Sequence, residues 1–233
     1  MKMMFAGAAI AAFAVGTAQG AISISMPERQ VMANGMLSDG MPLEDMKLFG
    51  TDGDFDQSAG VAMTGDGQLI SALAAQDTSI GLFEASGEGL ASATVSAFGE
   101  MADASATTRI GLVITSDEAF KIDLGYDLGA LVTSGSTANS TLSLVDLSNE
   151  MEVFGASSGG GNDQLIMGAV SIDLAAGQYY FSIVAETSYD AGAAMSLASA
   201  ASADFSFDLT IIPTPASAAL MGLGLMAATR RGR

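Results

Sequence analysis

A run of nine residues with strict two-residue alternation places the strongest constraint on the fold of this chain. Phe120, Ile122, Leu124, Tyr126 and Leu128 are apolar or aromatic, and charged residues or glycine separate them. Because successive side chains of a strand point to opposite faces of a sheet, this pattern predicts a half-buried β strand. Shorter alternating runs recur at 22–26, 110–114, 170–174 and 205–211.

Glycine-rich and Asp-rich turns separate these runs, and no part of the body has a convincing helical period. The pattern predicts an all-β body, an antiparallel β-sandwich or a jelly roll. Residues 174–179 predict a hairpin with its turn at 175–177, and weaker strand signals occur at 68–73 and 80–83. The Ser/Gly-rich stretch 157–163 predicts a flexible loop, and the Ala/Ser-rich stretch 191–203 fits either a long loop or a short helix.

The first 20 residues have the order of parts found in a secretory signal peptide. Lys2 supplies a positive start, residues 5–15 are apolar, and Ala18-Gln19-Gly20 is a small-x-small cleavage site. We therefore predict cleavage by signal peptidase between Gly20 and Ala21, after export by the secretion machinery. The apolar run is too short for a stable membrane span.

The last 23 residues, 211–233, have the features of a membrane stop. A run without charge extends from Ile211 to Thr229, and Arg230, Arg231 and Arg233 follow it. Arginines remain on the cytoplasmic side of a bilayer, so this segment predicts a short hydrophobic helix inserted in the membrane. Physical reasoning alone leaves two interpretations open, a temporary anchor that is later processed and an ordinary C-terminal anchor.

This tail resembles the PEP-CTERM sorting signal, in which a Pro-Glu-Pro-like motif, an apolar segment rich in small residues and an arginine cluster follow one another. Pro213 and Pro215 match the motif, and Thr214 stands where the family usually has glutamate. The resemblance implies export by a diderm bacterium, processing by an exosortase-like enzyme, and an association with extracellular polysaccharide or biofilm matrix. Strand-rich sandwiches are common ahead of such tails.

The body between the two terminal segments, residues 21–210, is strongly acidic. It contains all 26 acidic residues of the chain and four of the eight basic ones, a net charge of −22 (4 − 26). Such a surface repels phosphates and anionic lipid, so nucleic acid is excluded as a partner. The acidity either serves solvation alone or suits salty water and divalent cations.

One acidic motif is a candidate for metal binding. Asp52, Asp54 and Asp56 alternate and could present several oxygens to Ca²⁺. The EF-hand pattern fails here, because Gln57 occupies the glycine position and Met63 the position of the bidentate glutamate. A solvated acidic turn is the simpler interpretation of the motif, and no other cofactor is indicated.

Cysteine, histidine and tryptophan are absent from the sequence. Nucleophilic systems that use histidine or cysteine and histidine-bound zinc sites are therefore excluded, and no catalytic residues are predicted. Two carboxylates could still hydrolyse a glycoside, but no spacing selects a pair. The predicted function is that of an exported structural or adhesive protein of the cell surface or matrix. A carbohydrate-binding module that could depend on Ca²⁺ is the alternative.

Overall fold

A computed structural model describes residues 22–36, 42–49, 54–65, 68–96, 102–133, 135–160, 162–190 and 198–213. These residues form twelve strands. They are β1 (Ile22–Met36), β2 (Pro42–Phe49), β3 (Phe55–Gly65), β4 (Gln68–Ile80), β5 (Glu84–Ser96), β6 (Asp103–Ser116), β7 (Phe120–Val132), β8 (Ser136–Asp146), β9 (Met151–Gly159), β10 (Gln164–Leu174), β11 (Gly177–Asp190) and β12 (Ser199–Pro213). No helix of the described residues is long and apolar enough to cross a membrane.

The strands form two six-stranded sheets in which every neighbouring pair is antiparallel. We call them sheet A, with the order β2-β1-β6-β11-β8-β9, and sheet B, with the order β10-β7-β12-β5-β4-β3. Side chains alternate between buried and more exposed along most strands, as in β12. The buried faces of the two sheets pack on each other, so the predicted β-sandwich is confirmed.

The strands β5 to β12 are connected as a jelly roll. Numbered from one to eight, they give the order 1-8-3-6 in sheet B and 2-7-4-5 in sheet A, which is the arrangement of two Greek keys across a sandwich. The hairpin β1–β2 extends sheet A and the hairpin β3–β4 extends sheet B. The N-terminal strands therefore widen both sheets without changing the roll.

Aromatic side chains fill the centre of the sandwich. Phe181 of sheet A and Phe207 of sheet B have ring centroids 5.2 Å apart, and Phe120 meets the edge of Tyr179 at 5.6 Å. The predicted alternation of 120–128 is confirmed, because Phe120, Ile122, Leu124 and Leu128 of β7 are buried while the residues between them face outward or lie at intermediate exposure. These rings pack among many buried aliphatic side chains, and the burial of both kinds stabilises the core.

The predicted hairpin at 174–179 is wrong in its pairing, although the turn is correctly located. β10 ends at Leu174 and pairs with β7 in sheet B, whereas β11 begins at Gly177 and pairs with β6 and β8 in sheet A. The turn therefore carries the chain from one sheet to the other. A jelly roll needs such crossings, and a short turn sequence is compatible with either outcome.

Three further local predictions need correction. Residues 80–83 are not a strand, since β4 ends at Ile80 and the exposed Leu82 and Phe83 belong to the turn of the β4–β5 hairpin. The predicted loop 157–163 begins too early, because β9 continues to Gly159. In the stretch 191–203, residues 199–203 belong to β12, where they pair with β5, and residues 191–197 lie outside the described part of the chain.

Candidate functional site

Carboxylates from neighbouring strands lie side by side on the outer face of sheet B. Asp56 of β3 is directly opposite Asp77 of β4, and Asp77 is directly opposite Glu88 of β5. Glu88 is opposite Ser206 of β12, which is in turn opposite Asp127 of β7. We call these five residues the acidic row. Since like charges directly opposite each other destabilise a sheet, the row is unfavourable for folding.

The acidic row crosses an open groove of about 660 Å³. Asp204 adds a further carboxylate to its lining, and Leu90, Leu165 and Met167 provide apolar side chains. Ser206 Oγ donates a hydrogen bond of 3.3 Å to Asp127 Oδ2, which fixes one carboxylate within the row. The groove therefore combines hydrogen-bond acceptors with apolar surface on the outer face of sheet B.

Asp204 contacts sheet A through its backbone carbonyl and the neighbouring strand β7 through its carboxylate. Ser140, which is fully buried in β8 of sheet A, donates its hydroxyl towards the carbonyls of Asp204 and Gly129, at 2.8 and 2.9 Å. The Asp204 carboxylate lies over Gly129, since a Cβ at that glycine would be 2.4 Å from its Oδ1. Although the Asp204 side chain is exposed, desolvation by the surrounding groove, and secondly the charge of Asp127, raise its pKa above the usual range.

Replacement of Asp204 by asparagine should stabilise the fold at pH 7. The raised native pKa means that the folded state binds more protons than the unfolded state above about pH 3.9, so stability falls as pH rises through the native pKa. We expect Asp204→Asn to raise the melting temperature at pH 7 and to lose this advantage near pH 3.5. Asp208→Asn removes a charge from the same strand and is the control. An equal rise in melting temperature in both variants would contradict a raised pKa at Asp204.

Carboxylates further along the same face have local partners. Asp123 accepts hydrogen bonds from Ser171 and from Lys121, and these contacts lower its pKa. At the opposite edge of the sandwich, the pKa of Asp45 is lowered by Lys47 and by the backbone N–H of Gly60. Neither carboxylate belongs to the acidic row, and neither of these two ion pairs involves a residue of the row.

The structure describes two of the three residues of the predicted calcium motif. Asp54 immediately precedes β3 and accepts a hydrogen bond of 2.8 Å from Ser79, while Asp56 faces outward in the acidic row. Asp52 lies outside the described residues. Within the described ranges no group of three or more acidic side chains is arranged to hold a metal ion. The carboxylates of the acidic row are spread over several strands and do not form a closed set of ligands.

Of the predicted sorting and cleavage residues, the structure describes Pro213. Pro213 is the last residue of β12 and is exposed, opposite Phe120 of β7. The other members lie outside the described residues: Thr214, Pro215, Arg230, Arg231, Arg233, Gly20 and Ala21. The body thus leads into the tail from an inner strand of sheet B.

The acidic row was not predicted from the sequence. Asp77, Glu88 and Asp127 each occur at an outward position of a strand. The alternating pattern of each strand can predict that its own acidic residue faces outward. Their alignment depends on the register between strands that are far apart in the chain. Sequence alternation does not specify that register.

No protein-family model matches the chain, and no curated protein matches it. A solved structure of infectious bursal disease virus, Gx strain, is similar over 91% of this chain and 72% of its own, with 10% identity and a TM-score of 0.18. The VP2 subviral particle of the same virus is similar over 84% of this chain and 68% of its own, with 11% identity and a TM-score of 0.16.

Proposed function

We propose that this chain is an exported structural or adhesive protein of the cell surface or extracellular matrix. The signal-like N-terminus and the PEP-CTERM-like tail support export and transient anchoring in the inner membrane. The partners in this route are signal peptidase and an exosortase-like processing enzyme. The jelly-roll body, which extends to Pro213 at the end of β12, is the part that remains outside the cell.

The acidic row is the observation that supports an adhesive use of the body. Asp77 lies directly opposite Asp56 on one side and Glu88 on the other, and repulsion between these like charges destabilises the fold. A binding role at the surface would explain why the row is present. Carboxylates bind divalent cations through oxygen. Calcium ions shared between the row and an anionic polymer would join the protein to a hydrated matrix.

Direct carbohydrate binding is the second candidate, and the composition of the groove favours it. Carboxylates such as Asp127 and Asp204 can accept hydrogen bonds from sugar hydroxyls, while Leu90, Leu165 and Met167 can cover the apolar face of a sugar ring. The two candidates use the same surface. They differ in calcium dependence, because direct binding to the groove would persist after chelation.

Identification of both termini by mass spectrometry tests the export part of the proposal. The protein would be recovered from the extracellular or surface fraction of its native host. We expect it to begin near Ala21 and to end near 213–215. An intact Arg233 in the membrane fraction would contradict processing and would leave a plain C-terminal anchor.

A further inference from the structure

The four edge strands of the sandwich differ in how their free backbone groups are protected. An edge strand presents unpaired N–H and C=O groups that can template pairing with another chain. β2 begins with Pro42 and carries Glu44, Asp45 and Lys47. Its Asp45 also accepts a hydrogen bond of 3.1 Å from the backbone N–H of Gly60, so it caps an amide of β3. β2 is therefore a poor template. β3 contains no proline, lysine or arginine and its register with β4 is unbroken, so its protection comes from β2, which packs beside it.

The remaining two edges, β9 and β10, lie on the other side. The pairing of β9 with β8 is interrupted by a register shift between Leu144 and Val145, and Gly159 at its end has a φ of 114°. Bulges and bends of this kind blunt an edge. β10 has no comparable feature: its register with β7 is unbroken from Gln164 to Leu174.

The composition of β10 also suits pairing. The strand contains no proline, lysine or arginine, and Asp173 is its single charged residue. Leu165 and Met167 are 63% and 69% exposed on its outer face. In the described part of the chain β10 pairs with β7 alone. It is therefore a long, regular and largely apolar edge, with one side to which no strand of the described ranges pairs.

We propose that the free edge of β10 pairs with β10 of a second copy, in an antiparallel arrangement about a two-fold axis at Ala169. An isologous contact of this kind closes on itself and joins the two B sheets into one. In full register Leu165 lies opposite Asp173 of the other copy, and Met167 opposite Ser171. No two carboxylates of the strand are then opposite each other. This inference does not depend on the proposed export or adhesion.

A single introduced cysteine tests this geometry, because the natural chain contains none. Directly opposed residues in antiparallel strands have Cα atoms about 4.5–5.5 Å apart, within the range of a disulfide. Ala169→Cys should therefore give a disulfide-linked dimer under mild oxidation. Ala62→Cys, exposed on the opposite edge strand β3, is the matched control and should remain mostly monomeric. Equal cross-linking of both variants, or none at Ala169→Cys, would overturn the proposal.

Sedimentation of the unmodified protein provides a second readout that does not depend on a cysteine variant. We expect a concentration-dependent mass of two chains, with association increasing as salt screens the acidic surfaces. Met167→Lys places a charge on the edge and should give single chains, whereas Leu82→Lys, at the same 69% exposure but in a turn, should associate as before. A single-chain mass at all concentrations would overturn pairing between copies. So would a complex in which a different protein chain, and not a second copy, occupies the edge of β10.

Discussion

Gly89→Ala should lower the free energy of unfolding by about 3 kcal/mol, near the upper end of the usual cost of overpacking a core. A Cβ at this position in β5 would be 2.4 Å from Phe205 Cζ and 3.0 Å from Thr108 Cγ2. Phe205 is 2% exposed and packs against Phe207, so its ring has little room to move. Urea denaturation followed by circular dichroism would measure the change.

Gly125→Ala is the matched control for this prediction. It makes the same change in a strand of the same sheet, but nothing lies within 4 Å of the added Cβ. We expect a change within about 0.5 kcal/mol, as for an ordinary surface substitution. Phe205→Leu in the Gly89→Ala background would also cost less than the sum of the two single changes, because the shorter side chain relieves the clash. Similar destabilisation by both glycine variants would contradict the packing described.

The outcome for β7 shows what sequence alternation can predict. The apolar positions from Phe120 to Leu128 are buried or partly buried, and Lys121, Asp123 and Asp127 lie on the other face. The period of a strand is a local property, because each side chain takes its direction from the backbone of its own strand. The most regular strands, their buried faces and the sandwich class follow from such local patterns, whereas β2, β3, β5 and β9 were not predicted.

The connections between strands and the register of their pairing could not be predicted from local sequence patterns. The turn at 175–177 was visible, but turn chemistry does not distinguish a hairpin from a crossing between two packed sheets. The acidic row joins Asp56 to Asp127 through residues on three intervening strands. That alignment depends on long-range pairing, which the core and the full set of strands determine together.

Removal of two carboxylates from the acidic row should strongly weaken adhesion to polysaccharide. Asp77 and Glu88 are adjacent in the row and exposed, so Asp77→Asn with Glu88→Gln removes two charges while keeping the side-chain shapes. We expect a loss of about tenfold or more in affinity, equivalent to at least about 1.4 kcal/mol. The fold should not lose stability, because the change also removes repulsion between like charges.

The matched control removes the same number of charges from sheet A. Glu44→Gln with Glu186→Gln alters two exposed carboxylates that lie outside the groove of sheet B. If adhesion depends only on the total negative charge, the two double variants should lose affinity for polysaccharide equally. A specific role of the acidic row would affect the sheet B variant alone.

Co-sedimentation with matrix polysaccharide purified from the native host is the most direct test of this account. In millimolar Ca²⁺ we predict that the natural protein and the sheet A variant sediment with the polysaccharide, that the sheet B variant stays in solution, and that chelation releases the bound protein. Retention that survives chelation but needs the acidic row would favour direct sugar binding. Equal behaviour of all three proteins, bound or unbound, would contradict an adhesive role for the acidic row.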